Sequence, residues 1–192
     1  MSNMRNDWKL EEVLILFNKP FNELLYEAHN SHIKNHKKDM VQVCTLLSIK
    51  TGGCPEDCGY CSQSIHSEDP IEATPLMSLE EVEKQAKLAR EQGSTRFCMG
   101  AAWRRPSNKN IDRVIKMIDV VHGLGMESCV TLGMLSEEQA MRLSKSGLNY
   151  YNHNLDTSRE HYTKVISTRN YQDRLNTLKY VRESGIKVCS GG

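Results

Sequence analysis

Two patterns of apolar and polar residues divide this 192-residue chain. Within residues 7–34, apolar positions recur at helical spacing on both sides of Pro20, which predicts two short helices, the first capped by Asp7. From residue 41, apolar runs alternate with amphipathic stretches, and each of the first four runs is followed by a predicted helix. The predicted strands are 41–49, 95–100, 127–132, 150–155 and 187–190. We therefore expect an N-terminal helical extension, 1–40, and a second domain, 41–192.

Glycines and capping residues set the ends of the predicted helices in the second domain. A glycine follows each helix and can supply its left-handed C-terminal turn: Gly93, Gly125, Gly147 and Gly185. The pairs Ser78/Glu81 and Ser136/Gln139 have the spacing of a capping box. Repeated strand–helix units predict right-handed crossovers and a parallel sheet. The expected fold is α/β, a TIM-type (β/α)8 barrel with its first five strands present.

The repetition stops at residues 190–192, although a full barrel takes about 250 residues. We therefore expect the barrel to be incomplete at the C-terminus, and the chain to be the front part of a longer protein. The open edge of the last strand predicts poor solubility for such a piece.

The charge balance and the hydropathy of the chain limit its expected binding partners and its expected cellular compartment. Lys and Arg number 25 against 24 Asp and Glu, so no overall field favours nucleic acid or an anionic membrane. No apolar run approaches the roughly 20 residues of a membrane span, and the start lacks the apolar core of a signal peptide. We expect a cytoplasmic protein. Because cytosolic thiols stay reduced, the seven cysteines indicate metal binding or catalysis before disulfides.

Three of these cysteines form a compact motif after the first predicted strand. Cys54, Cys58 and Cys61 have C-x3-C-x2-C spacing. Three thiolate ligands leave one iron of a [4Fe-4S] cluster free to bind another molecule. A structural zinc site would need a fourth ligand, for which His66 is the nearest candidate. The spacing is typical of the radical S-adenosylmethionine (SAM) loop, and zinc remains the alternative.

The other four cysteines lie on predicted strands. Cys98, Cys129 and Cys189 are on the second, third and fifth strands. Alternate side chains of neighbouring barrel strands share one interior, so these thiols could converge on a second metal site. Each could equally pack as a small apolar residue. Cys44, on the first strand, is interpreted as a packing cysteine.

The fourth predicted strand carries alternating polar residues. Asn152, Asn154 and Asp156 share one face near its C-terminal end, where barrel active sites lie. Asn154 and Asp156 could bind a polar ligand, or Asp156 could cap the following segment. His153 has the opposite parity and is expected to face the helices.

Four segments carry a resemblance that covers residues from about 5 to 192. Residues 51–63, 96–103, 150–157 and 187–192 closely resemble the biotin synthase family within the radical SAM superfamily. The resemblance implies a homodimeric TIM-barrel sulfurtransferase. Such an enzyme converts dethiobiotin to biotin by radical-SAM sulfur insertion, in the last step of biotin biosynthesis.

The resemblance also implies cofactors and residue roles. The loop cysteines would hold a [4Fe-4S] cluster that chelates SAM and receives an electron from a flavodoxin-like donor. Cys98, Cys129 and Cys189 match the ligands of a [2Fe-2S] cluster that is the sulfur source, and are therefore catalytic. Tyr60 would lie beside the adenine of SAM, and Gly100 near its methionyl end. Asn154 and Asp156 would contact the substrate and the SAM ribose.

Part of the implied site is missing from the sequence. The family's [2Fe-2S] cluster takes an arginine from a later strand as its fourth ligand, so we expect the 192-residue chain alone to be inactive. Two alternatives remain at this point. One is a different radical SAM enzyme, and the other is an inactive iron–sulfur or zinc-binding remnant.

Overall fold

The computed structural model describes residues 5 and 7–191. It contains two compact units, Met1–Val41 and Gln42–Gly192. Helices α1 (Leu10–Phe17) and α2 (Phe21–Asn35) lie in the first unit.

The prediction that Asp7 caps α1 is wrong. Lys9 is the N-cap residue, and its backbone N–H donates to the Glu12 carboxylate at 3.0 Å. Asp7 instead accepts a hydrogen bond from Arg5 at 3.0 Å. The acceptor for the N-cap backbone N–H is therefore Glu12, in the first turn of α1 itself.

The second unit alternates strands and helices along a single sheet. In chain order its elements are β1 (Cys44–Lys50), α3 (Leu79–Glu91), β2 (Arg96–Ala101), α4 (Asn108–Gly123), β3 (Glu127–Thr131), α5 (Glu137–Lys145), β4 (Tyr150–Asn152), α6 (Tyr162–Val165), α7 (Tyr171–Glu183) and β5 (Lys187–Cys189). The strands lie side by side in the order β1-β2-β3-β4-β5, and every neighbouring pair is parallel. The predicted α/β fold is confirmed, and the sheet is consistent with part of a TIM-type barrel. The short helix α6 was not predicted.

The two faces of the sheet differ in burial. Side chains alternate between faces along each strand, and one face, here called the helix face, is buried. Its core side chains are Ile49, Phe97, Met99, Val130 and Tyr151, packed with residues such as Val82, Ile111, Val114, Leu143 and Val181 from the helices. The opposite face, here called the open face, carries Cys44, Cys98, Cys129 and Cys189.

The predicted helix ends are confirmed. Ser78 Oγ and Ser136 Oγ each accept a backbone N–H three residues later at 3.2 Å, and both capping boxes are complete. The four predicted glycines all have left-handed backbone. The caps satisfy backbone donors that the first turn of each helix leaves free.

Among the described residues, every helix is too short or too polar to cross a membrane.

Candidate functional site

A cavity of about 350 Å³ opens beside the sheet in the second unit. Its lining includes all three loop cysteines and four other residues that the sequence singled out: Cys54, Cys58, Cys61, Tyr60, Gly100, Asn154 and Asp156. The volume lies at the low end of the range of small-molecule sites. The structure therefore brings the predicted loop ligands and the predicted SAM-binding residues to one place.

The cysteine loop begins with a tight turn after β1. Gly52 has φ +64°, and a Cβ at this position would lie 2.5 Å from the carbonyl oxygen of Ile71. Only glycine fits this backbone without strain. The backbone of Cys54 then bonds to Gln63 at 2.9 Å and to Ile65 at 3.0 Å. These contacts fix the first ligand position against the end of the loop.

Two acidic residues between the cysteines anchor the loop to the segment before α7. Asp57 accepts the backbone N–H groups of Ser167 at 2.9 Å and Thr168 at 3.1 Å. Hydrogen bonds from these two residues hold the pKa of Asp57 well below its usual range. Glu56 is 2% exposed and faces Arg104, with Nε to Oε1 at 3.2 Å. A buried carboxylate is stable only when it is paired or hydrogen-bonded. Moving the loop would separate Glu56 and Asp57 from these partners, so the contacts hold the loop in one position.

Two buried arginines join the loop to the polar segment after β4. Arg169 donates to Cys58 Sγ and to the hydroxyl of Tyr162, each at 3.2 Å. Arg174 also donates to the Tyr162 hydroxyl at 3.2 Å, and forms an ion pair with Asp156. We call Asp156, Tyr162, Arg169 and Arg174 the arginine network. The side chains of both arginines and of Asp156 are 5–7% exposed.

Sequence reasoning missed both arginines. The spacing of Tyr171, Leu175, Leu178 and Val181 predicts an apolar helix face turned inward. In α7, Val181 is buried as predicted and the other three are half-buried, but Arg174 and Thr177 are buried as well. Ion pairing lets Arg174 occupy a buried position that apolar periodicity does not predict. An arginine near a helix start normally indicates a solvated residue, so no sequence signal marked Arg169 or Arg174 as buried.

The fourth strand is shorter than predicted, although Asn152, Asn154 and Asp156 all line the cavity. Strand β4 ends at Asn152, and Asp156 has φ +70°, a left-handed conformation that breaks the alternation. Asp156 does not cap α6, whose N-cap residue is His161. Asn154 is exposed, and its Oδ1 accepts the backbone N–H of Gly191 at 3.1 Å. A left-handed non-glycine residue at a cavity is typical of functional sites.

Burial and neighbouring groups change the protonation of several cavity residues. Burial raises the pKa of Cys54 and of Cys58, and Arg169 opposes the rise at Cys58. Burial and a hydrogen bond with Asp156 raise the pKa of Tyr60. Without a bound metal, the thiols of Cys54 and Cys58 are therefore protonated at neutral pH.

The donor set of the loop fits an iron–sulfur cluster. Among the described side chains, no three Cys, His, Asp or Glu surround one point as ligands of a single ion would. In a four-iron cluster each cysteine binds one iron, and all three loop cysteines line the same cavity. His66, the candidate fourth zinc ligand, is exposed and does not line this cavity.

The strand cysteines form a second group on the open face. Cys98 and Cys129 are register partners on β2 and β3. Cys189 is the register partner of Asn152, whose Nδ2 lies 3.4 Å from its Sγ. A hydrogen bond between Cys98 and Cys129 raises the pKa of Cys98 and lowers that of Cys129. This group borders the cavity through Asn152, which lines it.

The interpretation of Cys44 as a packing cysteine is wrong. Cys44 is exposed on the open face, and its Sγ lies 3.3 Å from Cys98 Sγ. Partial burial of the sulfur, followed by the contact with Cys98, raises the pKa of Cys44 to about 11. Sequence parity places Cys44 and Cys98 on the same side of neighbouring strands, but the register that brings their sulfur atoms together is set by the pairing of β1 with β2.

Cations lie beside the strand cysteines. The Arg96 guanidinium stacks 3.6 Å over the ring of Tyr150 and bonds to Glu127 at 2.8 Å. Lys187 Nζ lies 5.1 Å from the same ring. Arg96 favours the thiolate forms of Cys44, Cys98 and Cys129. Burial and the contact with Cys98 nevertheless raise the pKa of Cys44, and the hydrogen bond with Cys129 and burial raise that of Cys98. Arg96 therefore offsets only part of the cost of negative charge at these thiols.

Comparison with known proteins places this geometry in a family. The model of the radical SAM superfamily matches residues 48–192, which include the cysteine loop, strands β2 to β5, and Cys98, Cys129 and Cys189. The chain belongs to the radical SAM superfamily. The spacing of the three loop cysteines predicted membership of this superfamily, and the prediction is confirmed.

Curated relatives confirm the resemblance seen in the sequence. The radical SAM chain is 58% identical over its full length to a biotin synthase of Thioalkalivibrio sulfidiphilus, covering 56% of that protein. It is 57% identical over its full length to a biotin synthase of Ruthia magnifica subsp. Calyptogena magnifica, covering 60% of that protein. The chain thus spans less than two thirds of the length of these relatives.

Solved structures support the fold. The FeFe-hydrogenase maturase HydG of Carboxydothermus hydrogenoformans superposes with a TM-score of 0.78 at 22% identity, over 96% of this radical SAM chain and 44% of that protein. Methylornithine synthase (PylB) superposes with a TM-score of 0.77 at 18% identity, over 96% of this chain and 56% of that protein. At these identities the likeness concerns the fold alone.

Proposed function

We propose that this protein is a biotin synthase, a sulfurtransferase that inserts sulfur into dethiobiotin to form biotin. The observation that carries the proposal is the pairing of two cysteine groups. One is the loop group on the cavity, and the other is the strand group on the open face beside it. The biotin synthases that match the whole chain at 57–58% identity support it.

The loop group is proposed to hold a [4Fe-4S] cluster. Cys54, Cys58 and Cys61 provide three thiolates, and the cavity provides space at the fourth iron for the amino and carboxylate groups of SAM. Arg169 donates to Cys58 Sγ at 3.2 Å, so it balances negative charge on that sulfur. The docked acidic residues Glu56 and Asp57 keep the three thiols in place while the charge of the site changes.

SAM is proposed to lie along the cavity wall. Gly100 and Leu46 both line the cavity, and the methionyl end is proposed to lie beside Gly100, which has no side chain to occupy that space. Asn154 and Asp156 offer acceptors for hydroxyl groups of the ribose and for the substrate. Tyr60 is exposed at the cavity mouth, where its ring can cover the adenine. The arginine network holds Asp156 in its left-handed conformation.

The strand group is proposed to hold a [2Fe-2S] cluster through Cys98, Cys129 and Cys189. When bound, SAM and the two clusters supply the electron, the radical that removes hydrogen from dethiobiotin, and the sulfur. The chain's own residues orient these groups and keep water away, because a radical able to break a C–H bond also reacts with other hydrogen donors. The buried helix face closes one side of this space.

We also propose the setting in which the protein works. It acts in the cytoplasm as a homodimer, with a flavodoxin-like protein as electron donor. The balance of 25 basic and 24 acidic residues gives no support to a nucleic acid or anionic membrane partner.

The proposal is tested with protein from the complete native gene, reconstituted anaerobically with iron and sulfide. Wild type should cleave SAM to methionine and 5′-deoxyadenosine and convert dethiobiotin to biotin under reducing conditions. Replacing Cys98, Cys129 and Cys189 with alanine should preserve binding of SAM but abolish formation of biotin. Replacing the three loop cysteines should abolish both.

Other results would contradict the proposal. Cleavage of SAM without formation of biotin by wild type would indicate a different radical SAM reaction. A protein that retains zinc and takes up no iron would indicate a metal-binding module. Formation of biotin by the variant lacking the strand cysteines would remove their role as sulfur source.

A further inference from the structure

One side chain from outside the cysteine loop contacts a sulfur of the loop group. Arg169, in the segment before α7, donates from Nη2 to Cys58 Sγ at 3.2 Å, across 111 residues of sequence. Among the side chains that the structure describes, no other donates a hydrogen bond to a loop-group sulfur. Because an arginine side chain is always protonated in proteins, this sulfur has a permanent cationic donor beside it.

The surrounding residues hold the guanidinium of Arg169 in place. The side chain is 5% exposed, and its Nε donates to the hydroxyl of Tyr162 at 3.2 Å. Nη1 lies 3.8 Å from a carboxylate oxygen of Glu56, and Nη2 lies 3.8 Å from one of Asp156. A planar guanidinium that is already oriented loses little freedom when it forms another hydrogen bond. The contact with Cys58 is therefore built into the fold.

Pairing of the nearby carboxylates does not by itself require Arg169. Glu56 has a closer cation in Arg104, whose Nε lies 3.2 Å from the carboxylate. Asp156 forms a hydrogen-bonded ion pair with Arg174. Each carboxylate would thus keep a cationic partner without Arg169. What Arg169 adds, and these other arginines do not, is a hydrogen bond to the loop sulfur.

A hydrogen bond to a ligating sulfur stabilises the two redox states of a cluster unequally. In the proposed reaction one electron passes from the electron donor to the [4Fe-4S] cluster, and no bond forms or breaks in that transfer. The added charge makes the ligating sulfurs more negative, so a cationic donor stabilises the reduced state more than the oxidised state. Charge, hydrogen bonds to sulfur and exposure to solvent set the potentials of such clusters. Burial strengthens the effect, because little water screens the interaction.

We infer that Arg169 is a positioning residue that raises the reduction potential of the [4Fe-4S] cluster through its hydrogen bond to Cys58. This inference rests on the loop cluster of the proposed function and deepens it. Arg169 acts through the cluster ligand and makes the first electron transfer easier.

The test measures the loop cluster alone, in protein from the complete native gene. In the background protein the three strand-group cysteines are replaced with alanine, and the protein is loaded anaerobically with iron and sulfide. Arg169→Gln, Arg169→Lys and a matched control, Arg104→Gln, are each added to this background. The control removes a guanidinium from Glu56 but removes no donor from a loop sulfur. Reductive titration without SAM, followed by electron paramagnetic resonance, gives the reduction potential of each protein.

Each protein should hold about four irons per chain. Arg169→Gln should lower the equilibrium constant for reduction about 10-fold, since partners of metal ligands typically contribute about 10–100-fold. For one electron this is a fall of about 59 mV. Arg169→Lys keeps the charge without the planar fork, so it should recover part of the potential. A shift for Arg169→Gln no larger than that for Arg104→Gln would overturn the inference.

A second measurement leaves Arg169 unchanged, so it does not depend on the folding of a variant. The background protein is produced with its arginines labelled with nitrogen-15, and the reduced cluster is studied by pulsed electron paramagnetic resonance. A guanidinium that donates to a ligating sulfur should give a nitrogen-15 coupling that the unlabelled protein lacks. Absence of this coupling from a reduced [4Fe-4S] cluster would overturn the inference alone. A background protein that takes up no iron would overturn the proposed loop cluster and the inference with it.

Discussion

Replacing Asp156 with asparagine should destabilise the second unit strongly, because the buried Arg174 would lose its carboxylate partner. Arg169 would lose one of two, since it also lies 3.8 Å from Glu56. Asp156 Oδ2 pairs with Arg174 and lies 3.8 Å from Arg169 Nη2. Asparagine keeps the size and an acceptor oxygen, and it tolerates the left-handed backbone better than most residues. The substitution therefore tests the charge of the arginine network.

The magnitude follows from distance and burial. Two unit charges about 4 Å apart attract by about 4 kcal/mol at an effective dielectric constant of about 20. Desolvation offsets part of this attraction in the intact pair. Removing one partner leaves the other charge buried and costs about 3–5 kcal/mol. Because asparagine retains one hydrogen bond, we expect a loss of about 3 kcal/mol in the free energy of unfolding.

The assay is urea unfolding of wild type and variants, followed by circular dichroism at pH 7. The matched control is Glu183→Ala on α7. Glu183 Oε1 also lies 3.8 Å from its partner Lys179, but both side chains are more than half exposed. Such a surface pair contributes about 0.3–0.5 kcal/mol. A loss for Asp156→Asn no larger than that for Glu183→Ala would refute the reasoning from burial.

Three further predictions use hydrogen bonding, burial and backbone geometry. The lowered pKa of Asp57 stabilises the folded state at pH values above the ordinary carboxyl pKa of about 4, and this stabilisation is lost as the pH falls below that value. In thermal unfolding, the difference in stability between wild type and Asp57→Asn should therefore shrink from pH 7 to pH 3. A constant difference would contradict this. Burial lowers the pKa of His153 to about 3, so the folded state of wild type should lose stability as the pH falls below about 6.5. His153→Leu should lose less stability over the same pH range. Equal dependence of the free energy of unfolding on pH, measured with urea, would contradict this. In urea unfolding, Gly133→Ala should lower the free energy of unfolding by several kcal/mol more than Gly185→Ala. Both glycines have φ +83°, but only at Gly133 would a Cβ lie 2.2 Å from the carbonyl oxygen of Trp103. Equal losses for the two variants would count against this clash.

Local rules were sufficient to predict where α3 and α5 begin. Ser78 with Glu81 and Ser136 with Gln139 mark helix starts through contacts only three residues apart, so the sequence contains both partners. The cysteine loop was equally accessible, because its ligands are close in sequence.

Long-range polar pairing was not predictable from the sequence. Arg174 is buried because Asp156, 18 residues earlier, meets it across the cavity. Cys44 has a thiol neighbour because β1 and β2 pair in a particular register, and 54 residues separate it from Cys98. Asp156 leaves the strand pattern because its backbone turns left-handed after β4. Each of these depends on tertiary contacts that periodicity does not contain.

The most direct test of the account is an iron and sulfide count, with Mössbauer spectra, on anaerobically reconstituted protein from the complete native gene. We expect about six irons per chain in two cluster types. The variant without loop cysteines should keep about two of them, and the variant without Cys98, Cys129 and Cys189 about four. Two results would contradict the presence of two separate cluster sites. One is that one variant loses all its iron while the other loses none, and the other is that wild type contains a single cluster type.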